Sequence, residues 1–128
     1  MALLLDTHAF LWWLAGDRKL PRRVRDAIAD PDEEVIVSAV SAWEITTKYR
    51  IGKLPGASAI VNDIAGEIAS QSFTALPITV VHAQRAGLLV GDHRDPFDRM
   101  LIAQARSEDL ILVSNEELFD AFGVTRLW

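Results

Sequence analysis

Four acidic residues stand where an α/β chain places chemistry: Asp6, Glu44, Asp98 and Glu116. Asp6 ends the apolar run Leu3-Leu4-Leu5. Glu44 lies about one turn into the helical pattern that follows Val35-Ile36-Val37, and Glu116 comes just after Ile111-Leu112-Val113. Asp98 falls near the start of a helical segment opened by Asp95-Pro96. Open parallel sheets expose functional groups beyond the carboxyl ends of their strands, where loops turn into helices. Acids far apart in sequence can therefore converge. Clustered carboxylates repel or retain protons unless something compensates them. Mg²⁺ or Mn²⁺ does so through oxygen ligands, and such ions polarise a phosphodiester, activate water and stabilise the leaving oxygen. Zinc fits less well, because His8, His82 and His93 form no multidentate spacing. No single Asp–Glu pair stands out for metal-free acid–base chemistry.

Each acid also has a plain structural reading. Asp6 at a strand end and Asp95 before Pro96 suit helix N-caps. Asp98 and Glu116 suit the positive end of a helix, and an internal Glu44 reads as a solvated helical residue. His8 and His93 fit structural hydrogen bonds as well as proton transfer. Trp12 and Trp13 cannot share one helical face, so one is expected to pack inside while the other faces a partner or a nucleotide. The basic groups Arg18, Lys19, Arg22, Arg23, Arg25 and Lys48, Arg50, Lys53 read first as solvated faces.

Elements that could hold these residues follow from hydrophobic pattern. Leu3 to Leu5, Val35 to Val37 and Leu110 to Val113 are short unalternating apolar runs, the mark of strands buried on both faces. Thr7 to Ala15 reads as a helix stopped by Gly16, and Pro21 opens another carrying Val24 and Ile28. A helix begins at Ser38 or Ser41, with Ala42, Ile45 and Tyr49 as its packed stripe. After the breakers Gly52, Pro55 and Gly56, the positions Ala57, Val61, Ile64 and Ile68 predict one amphipathic helix. Phe73 to Ile78 predicts an edge strand, because Pro77 cannot donate to a ladder. Val80 to Leu89 and Pro96 to Arg106 predict helices, and Val124 to Leu127 a last strand. Strands separated by helices imply right-handed crossovers and a mainly parallel sheet flanked by helices.

The 128 residues suit one domain, 1–128, without internal repeat or dividing linker. Half are apolar and there is no cysteine, which excludes disulfide scaffolds, thiolate metal sites and cysteine nucleophiles. A formal charge of -5 argues against broad electrostatic adhesion to nucleic acid, though not against a nuclease. No apolar stretch reaches the length of a membrane span and no basic segment precedes the apolar start. A cytoplasmic protein is expected.

Several ordered segments carry a family resemblance: Leu3-Leu4-Leu5-Asp6-Thr7-His8, Ser41-Ala42-Trp43-Glu44-Ile45, His93-Arg94-Asp95-Pro96-Phe97-Asp98-Arg99 continuing through Met100 to Ala105, and Leu112-Val113-Ser114-Asn115-Glu116. Over nearly the whole chain the sequence resembles PIN-domain ribonucleases, particularly VapC-like toxins of toxin-antitoxin modules. The resemblance implies a three-layer α/β fold and metal-dependent endoribonuclease activity with Mg²⁺ (or Mn²⁺) as cofactor. It makes Asp6, Glu44 and Asp98 the principal metal-binding acids, with Glu116 where the family often has Asp. Thr7, Asp95 and Ser114 would support the site, and Arg94 and Arg99 are the local candidates for positioning RNA. It further implies a homodimer and a cognate antitoxin protein that masks the acidic groove. Two other readings stay open on the residues alone: a non-catalytic RNA-binding or protein-interaction module, and an α/β phosphomonoesterase using Asp6. The latter lacks a second aspartate two residues on, where His8 stands.

Overall fold

The structure, a computed structural model, describes residues 2–128. Five strands form its sheet: β1 (Leu3–Leu5), β2 (Val35–Ser38), β3 (Thr74–Leu76), β4 (Ile111–Val113) and β5 (Thr125–Leu127). Their order is β3-β2-β1-β4-β5, and every neighbouring pair is parallel. β1 is central, with Leu4 paired to Ile36 on one side and Leu112 on the other. Beginning from β1, the chain moves outward through β2 and β3, then crosses to β4 and β5. This reversal leaves a crevice beyond the carboxyl ends of β1 and β4, where such sheets bind ligands.

Side chains alternate across the pleat, so each apolar run feeds two cores. Leu3, Leu5, Val35, Val37 and Val113 face α1 (Thr7–Ala15), α2 (Arg22–Ala29) and α4 (Ile64–Ser70), through Phe10, Val24, Ile28, Ile64 and Ile68. Leu4, Ile36 and Leu112 face Leu101, Ile102 and Ala105 of α6 (Pro96–Ser107). α5 (Val80–Leu88) packs along α6. The result is a sheet sandwiched between helical layers, the expected mixed α/β architecture. β3 takes the edge position that Pro77 predicts. Among the described residues no helix is long and apolar enough to cross a membrane.

Two local expectations need correction. The segment from Ala57 to Ile68 is not one helix: a 3-10 turn (Pro55–Ala57) gives way to turns, and α4 starts afresh at Ile64. Asp63 causes the restart, because its carboxylate accepts from Gly66 N at 3.0 Å and caps the new helix. In α3 (Ala39–Arg50) the packed face is Val40, Ser41, Glu44 and Ile45, whereas Tyr49 is exposed. The inward stripe of this helix therefore holds an acid where an apolar residue was expected.

Candidate active site

Asp6, Glu44, Asp98 and Glu116 line one cavity of about 340 Å³, together with Thr7, His8, Trp12, Lys48, Asp95, Asn115 and Phe119. Asp6 follows β1 and Glu116 follows β4, so the two flank the crevice where the strand order reverses. Glu44 enters from α3 and Asp98 from the first turn of α6.

Asp6 caps α1, its Oδ1 accepting from Ala9 N at 2.7 Å. Burial raises its carboxyl above the ordinary range. The Ser114 hydroxyl, the Ala9 N–H and the charge on His8 oppose that rise, and Glu44 adds to it. Ser114 is fully buried and its Oγ also accepts from Glu116 N at 3.0 Å, which joins the ends of β1 and β4. Thr7 donates to Glu44 Oε1 at 2.6 Å and lies 3.1 Å from Ser41 Oγ. The other Glu44 oxygen pairs with Lys48 one turn along the same helix. Glu44 is 4% exposed, which overturns its reading as a solvated helical residue.

Asp98 stands in the first turn of α6, where His93 Nε2 is 2.8 Å from its Oδ2. Burial pushes the Asp98 carboxyl up to about 6. The His93 hydrogen bond opposes this, while the charges on Asp95 and Glu44 reinforce it. Asp95 is the N-cap of α6: its Oδ1 accepts from Phe97 N at 2.9 Å, and its side chain still borders the cavity. Glu116 differs from the other three acids. It is exposed at the rim, and its Oε1 accepts from Leu118 N at 3.2 Å to cap the closing 3-10 helix (Glu117–Phe122).

Lys48 is the site residue that sequence reasoning passed over, having placed it in a solvated basic group. Burial draws its ammonium down, but the Glu44 hydrogen bond and the charges on Glu44, Asp95 and Asp98 more than offset this and hold it above its ordinary value. The available signal was the i,i+4 spacing from Glu44. The arginines fall elsewhere. Arg99 donates to Ala86 O at 3.2 Å, His93 O at 3.1 Å and Leu89 O, so its guanidinium fastens the end of α5 to the loop before α6. These three carbonyls engage its planar fork within the fold. Arg94 is exposed and does not line the cavity. Trp13 is committed to the fold through Gln71 (Nε1 to Oε1, 2.9 Å) and Phe73. Trp12 instead borders the cavity, its ring 5.7 Å from those of His8 and Trp128.

The acids meet as a shared field of charge. Asp6 and Asp98 both feel Glu44, yet among the described residues no three His, Asp or Glu side chains are close enough to form a ready-made metal cage. The donor chemistry still suits a hard cation, because every acid contributes oxygen and the cavity has room for water. Mg²⁺ commonly keeps several waters and uses only one or two carboxylates.

A parallel α/β sheet with an acid-lined cavity at its reversal point defines a class of fold that binds ligands beyond its strand ends. The model of the PIN domain matches residues 3–124, and the chain belongs to that family. Solved structures agree on the fold. The chain is similar to VapBC2 from Rickettsia felis bound to a DNA fragment from its promoter, with 13% identity, 99% of this chain and 98% of that chain covered, and a TM-score of 0.71. It is similar to VapC20 of Mycobacterium tuberculosis, a toxin that cleaves the Sarcin-Ricin loop, with 21% identity, 97% coverage of each chain and a TM-score of 0.68. A toxin-antitoxin complex from Klebsiella pneumoniae matches at 19% identity over 99% of this chain and 97% of that one, with a TM-score of 0.67. Comparison with curated proteins gives no significant match.

Proposed function

We propose that the protein is a divalent-metal-dependent endoribonuclease, the toxin of a toxin-antitoxin pair. The observation that carries this reading is the convergence of Asp6, Glu44, Asp98 and Glu116 on one cavity at the carboxyl edge of the sheet. PIN-family membership and the fold shared with toxins of known complexes support it.

In this reading Asp6, Glu44 and Asp98 would hold Mg²⁺ or Mn²⁺, with Glu116 at the rim. Such an ion would supply positive charge to polarise the phosphodiester and activate water. The protein's own groups arrange the rest. Thr7 fixes the Glu44 carboxylate from one side, Ser114 steadies Asp6, and His93 orients Asp98. Burial and mutual repulsion raise the carboxyls of Asp6 and Asp98, the crowding of like charge that a bound cation would relieve. An antitoxin that supplies a cationic side chain would mask such a cavity, and a homodimer belongs to the same proposal.

The test is cleavage of a diverse RNA pool. Purified protein should lose activity in EDTA and regain it with Mg²⁺ or Mn²⁺, and Asp6→Asn should be inactive while folded. Full turnover by folded Asp6→Asn, or cleavage indifferent to EDTA, would refute the reading.

A further inference from the structure

We infer that Lys48 is the side chain that receives the phosphate of the substrate, a role that rests on the ribonuclease reading above. A phosphodiester is an anion, and the cavity it must enter is walled by Asp6, Glu44, Asp95, Asp98 and Glu116. Repulsion between unit charges a few ångströms apart is about 4 kcal/mol near a protein surface, so a fixed cation on the wall would favour entry of an anion beyond what a bound metal ion supplies. Lys48 is the one Lys or Arg among the described residues that line this cavity.

Its setting suits that task. The side chain is 31% exposed, enough to reach a ligand, whereas the side chain of its partner Glu44 is only 6% exposed. Glu44 Oε2 engages the ammonium from the same helix, and Nζ lies 5.9 Å from the centroid of the Phe97 ring on the facing helix. The stem is thus held between α3 and α6. An ammonium has three N–H donors; Glu44 engages one, and the others are free to meet a non-bridging phosphate oxygen. Such a contact positions the backbone without reading sequence. Arg99, engaged by three carbonyls, has no comparable access.

Steady-state cleavage by Lys48→Met and Lys48→Arg tests the inference, with thermal melts to confirm folding and Lys48→Gln in place of the methionine variant if that one melts early. Lys48→Met should raise KM at least about tenfold with kcat changed far less, and Lys48→Arg should restore most of the loss. The same contact has a signature independent of turnover. Binding of a fluorescent single-stranded RNA in EDTA, followed by anisotropy across a salt series, should lose about 0.7 from the slope of log affinity against log salt when Lys48 becomes Met. Wild-type KM and an unchanged slope in that variant would overturn the phosphate role while leaving the nuclease intact. A loss confined to kcat would also overturn it, by assigning Lys48 to the positioning of Glu44. A wild-type protein that cleaves no RNA would instead refute the ribonuclease reading itself.

Discussion

Replacing Asp98 with Asn should stabilise the metal-free protein at neutral pH while removing its activity. The Asp98 carboxyl, ordinarily near 3.8, is raised to about 6 by burial and by Asp95 and Glu44, against the pull of His93. Between those two pH values the folded protein retains a proton that the unfolded chain has released. Folding is then favoured by acid: the contribution is fully present below about pH 4 and is lost as pH rises through 6. At about 1.4 kcal/mol per pH unit, ionising Asp98 costs the fold up to about 3 kcal/mol at pH 7.5. The side chain is 23% exposed, so solvent screens only part of this. Asparagine has the same shape and no charge to bury. It forfeits some of the charge-assisted bond to His93 at 2.8 Å, which leaves a net gain of about 1–2 kcal/mol. Urea unfolding in EDTA should therefore show Asp98→Asn more stable than wild type at pH 7.5, with the two curves meeting near pH 4. A variant no more stable than wild type at pH 7.5, or a gain that does not fade on acidification, would refute the reasoning.

Other outcomes follow from the loop and helix contacts. Arg99→Ala should cost about 1–3 kcal/mol by unpairing the carbonyls of Ala86, Leu89 and His93, and hydrogen exchange should accelerate over residues 89–95. Arg99→Lys should recover little, because one ammonium cannot reproduce a planar fork. His82 is buried at 1% exposure, where its Nδ1 accepts from Thr79 N at 3.1 Å and its Nε2 meets Glu108 at 2.8 Å. His82→Ala loses half of the capping box of α5 and leaves a hole, so urea unfolding should show a loss of roughly 2–4 kcal/mol.

The inner strands β1, β2 and β4 were legible because each carries three consecutive apolar residues, a pattern suited to burial on both faces. Gly16 was legible as a helix stop for an equally local reason, since it adopts φ 62 at the end of α1. The failures came where a short polar side chain overrode periodicity. Val61 and Ile64 have the spacing of one helix, but Asp63 between them accepts from the Gly66 N–H and begins another. Such competition between side chain and backbone is invisible to a count of apolar positions.

Glu44 shows why the site was harder to read than the sheet. An acid inside a helix is ordinarily solvated, and nothing within α3 indicates that this one is buried. What holds it there comes from elsewhere: Thr7, 37 positions away, supplies the hydrogen bond to Oε1. Its neighbour Lys48 was misread for the matching reason, because a lysine looks solvated until the acid four residues earlier is known to face inward. The two are a single feature. A buried carboxylate without a cation would take up a proton or unfold its surroundings, so Glu44 requires a positive group beside it whether or not a metal is bound. Lys48 meets that need from within the chain, and the same ammonium is then already placed in the cavity when an anionic substrate arrives.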